Sequence, residues 1–98
     1  MSYYRIKAIS HTGIDGERDT PRTDGRYPLR INRIVELNEK DIVVGKPFRF
    51  DYVADQNGND YRGYHKWTSY VKDWDFIFED MIYIETFRSI YELERVEV

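Results

Sequence analysis

Apolar and polar residues alternate with a period of two in several short segments of the chain, which is typical of half-buried β-strands. In FRFDYVA, residues 48–54, the side chains of Phe48, Phe50 and Tyr52 alternate with charged ones on most of the intervening positions. The same alternation predicts a first strand at Tyr3–Ser10. No segment combines helical spacing with helix caps, so the pattern predicts a chain built of strands.

The strongest turn signal in the chain is Asn57-Gly58 in the segment DQNGND. Asn and Gly adopt the positive φ angles of a tight hairpin turn with little cost. A two-residue turn there predicts a register that pairs Phe48 with Trp67 on the core side. In this register the inward side chains of the second strand are Tyr61, His65 and Trp67.

The outward face of this hairpin is the candidate binding site. It pairs Arg49 with Lys66, and like charges directly opposite each other are unfavourable unless a partner neutralises them. Exposed tyrosines beside guanidinium groups can stack bases and contact phosphates, or form the aromatic contacts of a protein interface. An ordinary solvated sheet face fits the pattern equally well. The candidate binding residues are Arg49, Asp51, Arg62, Tyr64, Lys66 and Tyr70.

A second hairpin is predicted around Phe87-Arg88, between the strands DMIYIET and SIYELERV. Its register places Ile82 opposite Leu93 on the core side. The preceding segment TSYVKDWDFIFE is expected to continue the strand before it and to bend at residues 73–75.

Two earlier segments differ in their patterns. LRINRIVEL, residues 29–37, predicts a strand with a bulge near residues 32–34. Residues 11–28 hold three of the six glycines, two of the three prolines and one aliphatic side chain, Ile14. Because such a segment cannot bury enough surface to fold alone, we predict a long loop at 11–28 that is flexible without a partner.

Five to six short strands with frequent turns predict an all-β fold: one small, strongly bent antiparallel barrel spanning residues 1–98, SH3-like first and OB-like second. VGKPFRFDYV and the spacing of Thr86, Ser89, Tyr91, Leu93 and Glu94 resemble small uncharacterised SH3-like β-barrel proteins of bacteria and their mobile elements. That resemblance covers about half of the chain. It implies no catalytic residue, and it implies modulation of a host factor as a role.

Composition limits the chemistry. Cysteine is absent, which excludes disulfides, thiolate metal sites and a cysteine nucleophile. There is no apolar leader and no segment of membrane-spanning length, so we expect a cytoplasmic protein with no membrane association. No phosphate-binding glycine loop, nucleophile elbow or zinc-binding helix motif occurs. An enzyme is therefore the least favoured class, and we expect no cofactor.

Three groups of polar residues were weighed as metal or acid–base sites. The series Asp55, Asn57 and Asn59 matches the start of a calcium loop, but Asp60 and Lys66 stand where glycine and a bidentate glutamate are needed. The two histidines have no partners at zinc-ligand spacing. Carboxylates do acid–base work only where burial or neighbours favour it, and the cluster Asp73, Asp75, Glu79 and Asp80 stands in a polar segment that is expected to be a solvated loop. No metal site is predicted.

Charge is unevenly distributed along the chain, whose net charge is −3. Residues 1–66 carry 12 basic and 10 acidic side chains, whereas residues 67–98 carry 3 and 8. The leading hypothesis is a non-enzymatic module that binds another protein through the Tyr64 face, the 11–28 loop or the acidic carboxyl-terminal hairpin, and a homo-oligomer is a further option. The alternative is single-stranded nucleic-acid binding through the basic aromatic face of residues 48–70. A third is an acidic carboxyl-terminal hairpin that mimics nucleic acid, if Glu85, Glu92 and Glu94 align.

Overall fold

Six antiparallel strands close into a barrel in the computed structural model, which describes residues 2–97. The strands follow their chain order around the barrel, and the last pairs with the first. This confirms the predicted all-β antiparallel barrel. The strands are β1 (Ser2–His11), β2 (Ile34–Leu37), β3 (Pro47–Ala54), β4 (His65–Phe78), β5 (Met81–Thr86) and β6 (Ser89–Val96). One helical turn, α1 (Tyr27–Arg30), precedes β2, and a 3₁₀ turn (Glu39–Asp41) follows it. Among residues 2–97 there is no helix with the length and hydropathy needed to cross a membrane.

Alternate side chains of the strands fill the barrel, as the period of two requires. Phe50 lies at its centre, only 1% exposed, and its ring meets those of Phe48 and Tyr91 edge to face, with centroids 5.3 and 5.0 Å away. The predicted carboxyl-terminal register is confirmed, because Ile82 pairs with Leu93.

A bulge in β1 changes which residues enter the core. The sequence pattern predicts Tyr4, Ile6 and Ala8 on the inward face, but Ile9 is buried instead of Ala8. The register of β1 against β6 shifts between Ile6 and Ala8. Because one extra residue exchanges the two faces of a strand, Ile9 takes the inward position.

The strand predicted at residues 29–37 begins only at Ile34. Its first part forms α1 instead, with a proline, Pro28, in the first turn. Proline favours that position because its fixed φ suits the helix and its missing N–H would have no partner there. Asn32 then takes a φ of 71°, which reverses the chain into β2. The predicted strand was wrong at its start because Pro28 begins a helical turn there instead of ending the preceding loop.

The turn after β3 is longer than the predicted two residues. Gly58 takes a positive φ of 84° as expected, but the Asp55 N–H donates to the Asn59 carbonyl at 2.9 Å. The Asp55 carboxylate also accepts from the N–H groups of Asn57 and Asn59 at 2.8 and 2.9 Å. These bonds, that from Asn59 above all, hold the pKa of the Asp55 carboxyl below its usual range. The Asp55 side chain thus accepts hydrogen bonds from backbone N–H groups of the loop, and this longer loop replaces the predicted two-residue turn.

The register between β3 and β4 is therefore shifted by one residue from the predicted one. Phe50 pairs with Lys66 rather than His65, and Trp67 pairs with Arg49 rather than Phe48. A slip of one residue turns each side chain of the second strand to the other face. Trp67 is 53% exposed and His65 is also exposed. The predictions that these two side chains are core residues were wrong.

The segment 11–28 is tied to the barrel by one buried cation. Arg22 is 7% exposed, and its guanidinium donates to the Asp24 carboxylate at 2.7 Å and to the Ser89 hydroxyl and Arg88 carbonyl, both at 2.9 Å. Farther out, the Arg18 guanidinium binds Glu85 at 2.6 Å and holds the pKa of that carboxyl below its usual range. The flexibility of this loop stays a prediction, and Arg22 is the contact that opposes it most.

The register can be tested by paired truncations in the central hairpin. We expect Phe50→Ala to lower the free energy of unfolding by about 3–5 kcal/mol, because it empties the barrel centre. Trp67→Ala should cost less than about 1 kcal/mol, since it removes an exposed ring. Urea unfolding followed by circular dichroism measures both. Equal losses would support the register in which Trp67 is a core residue.

The role of Arg22 can be tested by Arg22→Ala, with Arg26→Ala as the matched exposed control. Removing the buried guanidinium leaves the Ser89 hydroxyl and a carbonyl without their donor, so we expect a loss of about 2–4 kcal/mol. Limited proteolysis should then cut within residues 11–28 faster than in the parent protein. Unchanged stability and cleavage would show that the loop is not held by this contact.

Candidate functional site

The six predicted binding residues do not form one surface. Tyr64 and Lys66 line a groove of about 250 Å³. Arg49 and Asp51 line a separate cleft of about 460 Å³, where their side chains form an ion pair at 3.1 Å. The other two engage near neighbours rather than either groove.

Arg62 binds the Asp60 carboxylate at 3.2 Å and stays exposed. Tyr70 is 44% exposed and stacks on Phe87, with ring centroids 5.3 Å apart. Of the six, Tyr64 with Lys66 and Arg49 with Asp51 are thus two pairs that each share one groove or cleft.

The groove that contains Tyr64 and Lys66 is basic, and we call it the basic groove. Its lining has no carboxylate. Four cationic side chains line it, together with three tyrosines, Leu29 and His65. The cations are Arg26, Arg30, Arg33 and Lys66, and the tyrosines are Tyr52, Tyr61 and Tyr64.

The fold brings these cations together from distant parts of the chain. Arg26 and Arg30 stand four residues apart across α1, the spacing that puts two side chains on one face of a helical turn. Arg33 follows the chain reversal at Asn32, and Lys66 projects from the start of β4. The replacement of the predicted strand by α1 is thus what assembles the groove.

The three tyrosines form a ladder from the core to the surface. Tyr52 is 6% exposed, Tyr61 is half-buried and Tyr64 is 62% exposed. Tyr61 meets Tyr52 edge to face and stacks on Tyr64 at a centroid distance of 4.6 Å and an angle of 19°. The inner face of the Tyr64 ring is covered by Tyr61, which leaves the outer face for a ligand.

Arg33 is held against this ladder by its neighbours. Its guanidinium carbon lies 4.9 Å from the Tyr61 ring centroid and 5.2 Å from that of Tyr52, within the range of a cation–π contact. Its Nε donates to the Gln56 side-chain carbonyl at 3.1 Å. Among residues 2–97, Arg33 is therefore held by aromatic rings and an amide and forms no direct ion pair, although its charge helps to lower the pKa of the Asp55 carboxyl.

The cations of the basic groove differ from most other Lys and Arg side chains of the protein in that they form no ion pair in the described part of the chain. Within residues 2–97, none of the four forms an ion pair, whereas seven other Lys and Arg side chains do. The paired cations are Arg5, Arg18, Arg22, Arg49, Arg62, Lys72 and Arg88. Charge that is left unpaired at one place gives the groove a positive local potential, which attracts anions.

The cleft beside Arg49 has the opposite character. Glu36, Asp41 and Asp51 line it together with Trp67. Arg49 lies 5.7 Å from the Trp67 ring centroid and is neutralised by Asp51. Acidic and basic clefts thus flank the same central hairpin. Within residues 2–97, no three His, Asp or Glu side chains cluster in a way that could hold a metal ion.

Three residues of the basic groove, Arg26, Arg30 and Arg33, were not predicted, because residues 11–28 were expected to be a flexible loop and residues 29–37 a strand. Their spacing of four and three residues, around Pro28, is the signal that could have found them. That spacing indicates one face of a helical turn, and Pro28 marks where the turn begins.

No family model, no curated protein and no solved structure matches the chain. The resemblance to SH3-like barrels stays a prediction from its motifs. Function is therefore inferred from the chemistry of the groove itself.

The tyrosine ladder predicts different outcomes for its two outer rings. Tyr61→Ala should lower the free energy of unfolding by about 2 kcal/mol, because that ring packs against the core. Tyr64→Ala should change it by less than about 0.5 kcal/mol, since most of its surface faces solvent. Thermal and urea unfolding measure both. A large loss for Tyr64→Ala would mean that this ring is structural and not free for a ligand.

Proposed function

We propose that the protein is a non-enzymatic module that binds single-stranded nucleic acid in the basic groove. One observation carries this proposal: four cations without carboxylate partners surround a stack of tyrosine rings that ends at the surface. Phosphates need the cations, and an unpaired base needs an open aromatic face. A ligand that offers only one of the two would leave half of the groove unused.

A pose follows from the positions of the side chains. A base stacks on the outer face of Tyr64, and the adjoining phosphates are contacted by Lys66 and by Arg26 and Arg30 of α1. The groove, at about 250 Å³, lies below the roughly 300–1,000 Å³ of typical small-molecule pockets, so it receives no more than part of the strand and the neighbouring nucleotides run along the barrel surface. A duplex is disfavoured because its bases are already stacked on both faces.

The net charge of −3 does not oppose this proposal. Binding depends on the local potential, and the two acidic clusters, three carboxylates at the cleft beside Arg49 and four in residues 73–80, lie outside the lining of the basic groove. The negative remainder of the protein weakens long-range attraction. We therefore expect modest affinity, with Kd near the ~1–100 μM of non-specific binders at physiological salt.

The test is a titration of fluorescently labelled oligo(dT) and oligo(U) by anisotropy over a series of salt concentrations. Each phosphate contact contributes about 0.7 to the slope of log K against log salt. Lys66→Ala should weaken binding and reduce that slope by about 0.7. Tyr64→Ala should weaken binding by about fivefold to a hundredfold with the slope unchanged, because it removes stacking and not charge.

Lys40→Ala is the matched control. Lys40 is exposed, forms no ion pair among residues 2–97 and lies outside the lining of the basic groove. This variant should bind like the parent protein. Absence of binding by the parent protein at about 50 mM salt, or equal losses for Lys40→Ala and Lys66→Ala, would refute the proposal.

A further inference from the structure

The longest strand, β4, extends beyond its neighbour on one side. β3 pairs with it only as far as Tyr70, and a single bridge joins Val44 to Val71. Residues 72–78 continue for seven more positions, paired on their other side with β5. Among residues 2–97, no strand pairs with this outer edge of residues 72–78, which we call the free edge.

Two backbone donors of this segment are satisfied by its own side chains. The Trp74 N–H donates to the Asp73 carboxylate at 2.9 Å, and the Phe76 N–H donates to the Asp75 carboxylate at 2.8 Å. Because each of these two N–H groups donates to a carboxylate of its own strand, it does not pair with a neighbouring strand. Capping of this kind protects an exposed strand edge from uncontrolled pairing.

Asp73 is held in place by a further contact from β5. The Tyr83 hydroxyl donates to its second carboxylate oxygen at 2.6 Å, and this bond raises the pKa of Tyr83 to about 12. Asp73 is therefore held by two hydrogen bonds, one from the backbone of its own strand and one from β5.

The end of this hairpin exposes apolar side chains that the barrel does not use. Phe76, Ile77 and Phe78 are 51%, 40% and 68% exposed. They lie beside four carboxylates, those of Asp73, Asp75, Glu79 and Asp80, while the nearby Lys72 is engaged by Glu85 at 3.8 Å. Apolar surface surrounded by one sign of charge marks an interaction site for a partner of the opposite sign.

We propose that the free edge of β4 binds an extended segment of another protein that alternates apolar residues with Lys or Arg. The segment adds to the sheet as one more strand, so its backbone replaces the carboxylates at Trp74 and Phe76. Its apolar side chains cover Phe76 and Phe78, and its cations pair with the displaced carboxylates. A second copy of this edge does not fit, because the same aspartates would face each other.

This surface is distinct from the basic groove in position and in charge, so the two proposals stand or fall separately. Nucleic acid is repelled by the carboxylates at the free edge. A protein partner, which the sequence analysis favoured, thus has a surface of its own.

The experiment uses the full chain and a synthetic peptide of about eight residues, a typical strand length, that alternates Lys and Val. A peptide alternating Glu and Val tests charge, and a Lys/Val peptide with two adjacent central prolines tests backbone pairing without a change in charge. Backbone NMR locates the contact. We expect the Lys/Val peptide to bind with a Kd of about 100 μM or tighter, with shifts centred on residues 72–78, and the other two peptides not to bind.

Two variants and a control complete the design. Phe78→Ser should weaken binding of the Lys/Val peptide at least about fivefold, which corresponds to the loss of one apolar contact. Asp75→Asn should weaken it about twofold to fivefold, since it keeps an acceptor but removes a charge. Glu17→Gln removes an exposed carboxylate distant in sequence and should have no effect.

Several outcomes would overturn the proposal. They are no binding of the Lys/Val peptide at about 1 mM, equal binding of the proline peptide, or shifts centred on the basic groove. Light scattering that shows self-association of the parent protein, lost in Phe78→Ser, would also overturn it, because the occupant would then be a second copy.

Discussion

Closure of the sheet between β1 and β6 is the constraint on which the rest of this molecule depends. A six-stranded barrel has a narrow interior, so its strands must bend sharply while each keeps a ladder of hydrogen bonds to two neighbours. The bending is taken up at bulges, in β1 between Ile6 and Ala8 and in β4 against both of its partners. Each bulge also exchanges the inward and outward faces of the residues beyond it. Closure therefore decides which side chains reach the surface.

The same constraint sorts charge in space. The uneven distribution along the chain becomes two surfaces of opposite sign, because the basic residues of α1 and early β4 meet at one groove while late β4 carries its aspartates outward. The local potential at each surface is set by the residues that line it and not by the net charge of the protein. Glu85 and Glu94 of the carboxyl-terminal hairpin are instead neutralised by Arg18 and Arg5, which removes much of the acidic surface that a nucleic-acid mimic would need.

The features that could be predicted from the sequence are those that are set by residues close together in the chain. The carboxyl-terminal hairpin was predicted in its correct register, because its strands alternate cleanly and Ile82 and Leu93 have one core face to fill. The central hairpin was not, because the Asp55 side chain competes for the turn's donors. The alternation of apolar and polar residues in the sequence does not reveal that competition. Nor could the burial of Arg22 be predicted, since its acceptors, the Arg88 carbonyl and Ser89, are 66 and 67 residues away along the chain. Three of the four cations of the basic groove were missed because α1 is a single turn, which is marked only by Pro28 and the spacing of Arg26 and Arg30 and not by an apolar periodicity.

The capped amides of Trp74 and Phe76 have an energetic consequence. In the proposed complex, a strand that adds to the free edge of β4 displaces two carboxylate hydrogen bonds, and one of these carboxylates is also held by Tyr83. Both aspartates are exposed, so their side chains turn away within nanoseconds and do not slow association. What the caps raise is the affinity threshold: a segment without cations loses two charge-assisted bonds and replaces neither, whereas a cationic segment forms new ones with the same carboxylates.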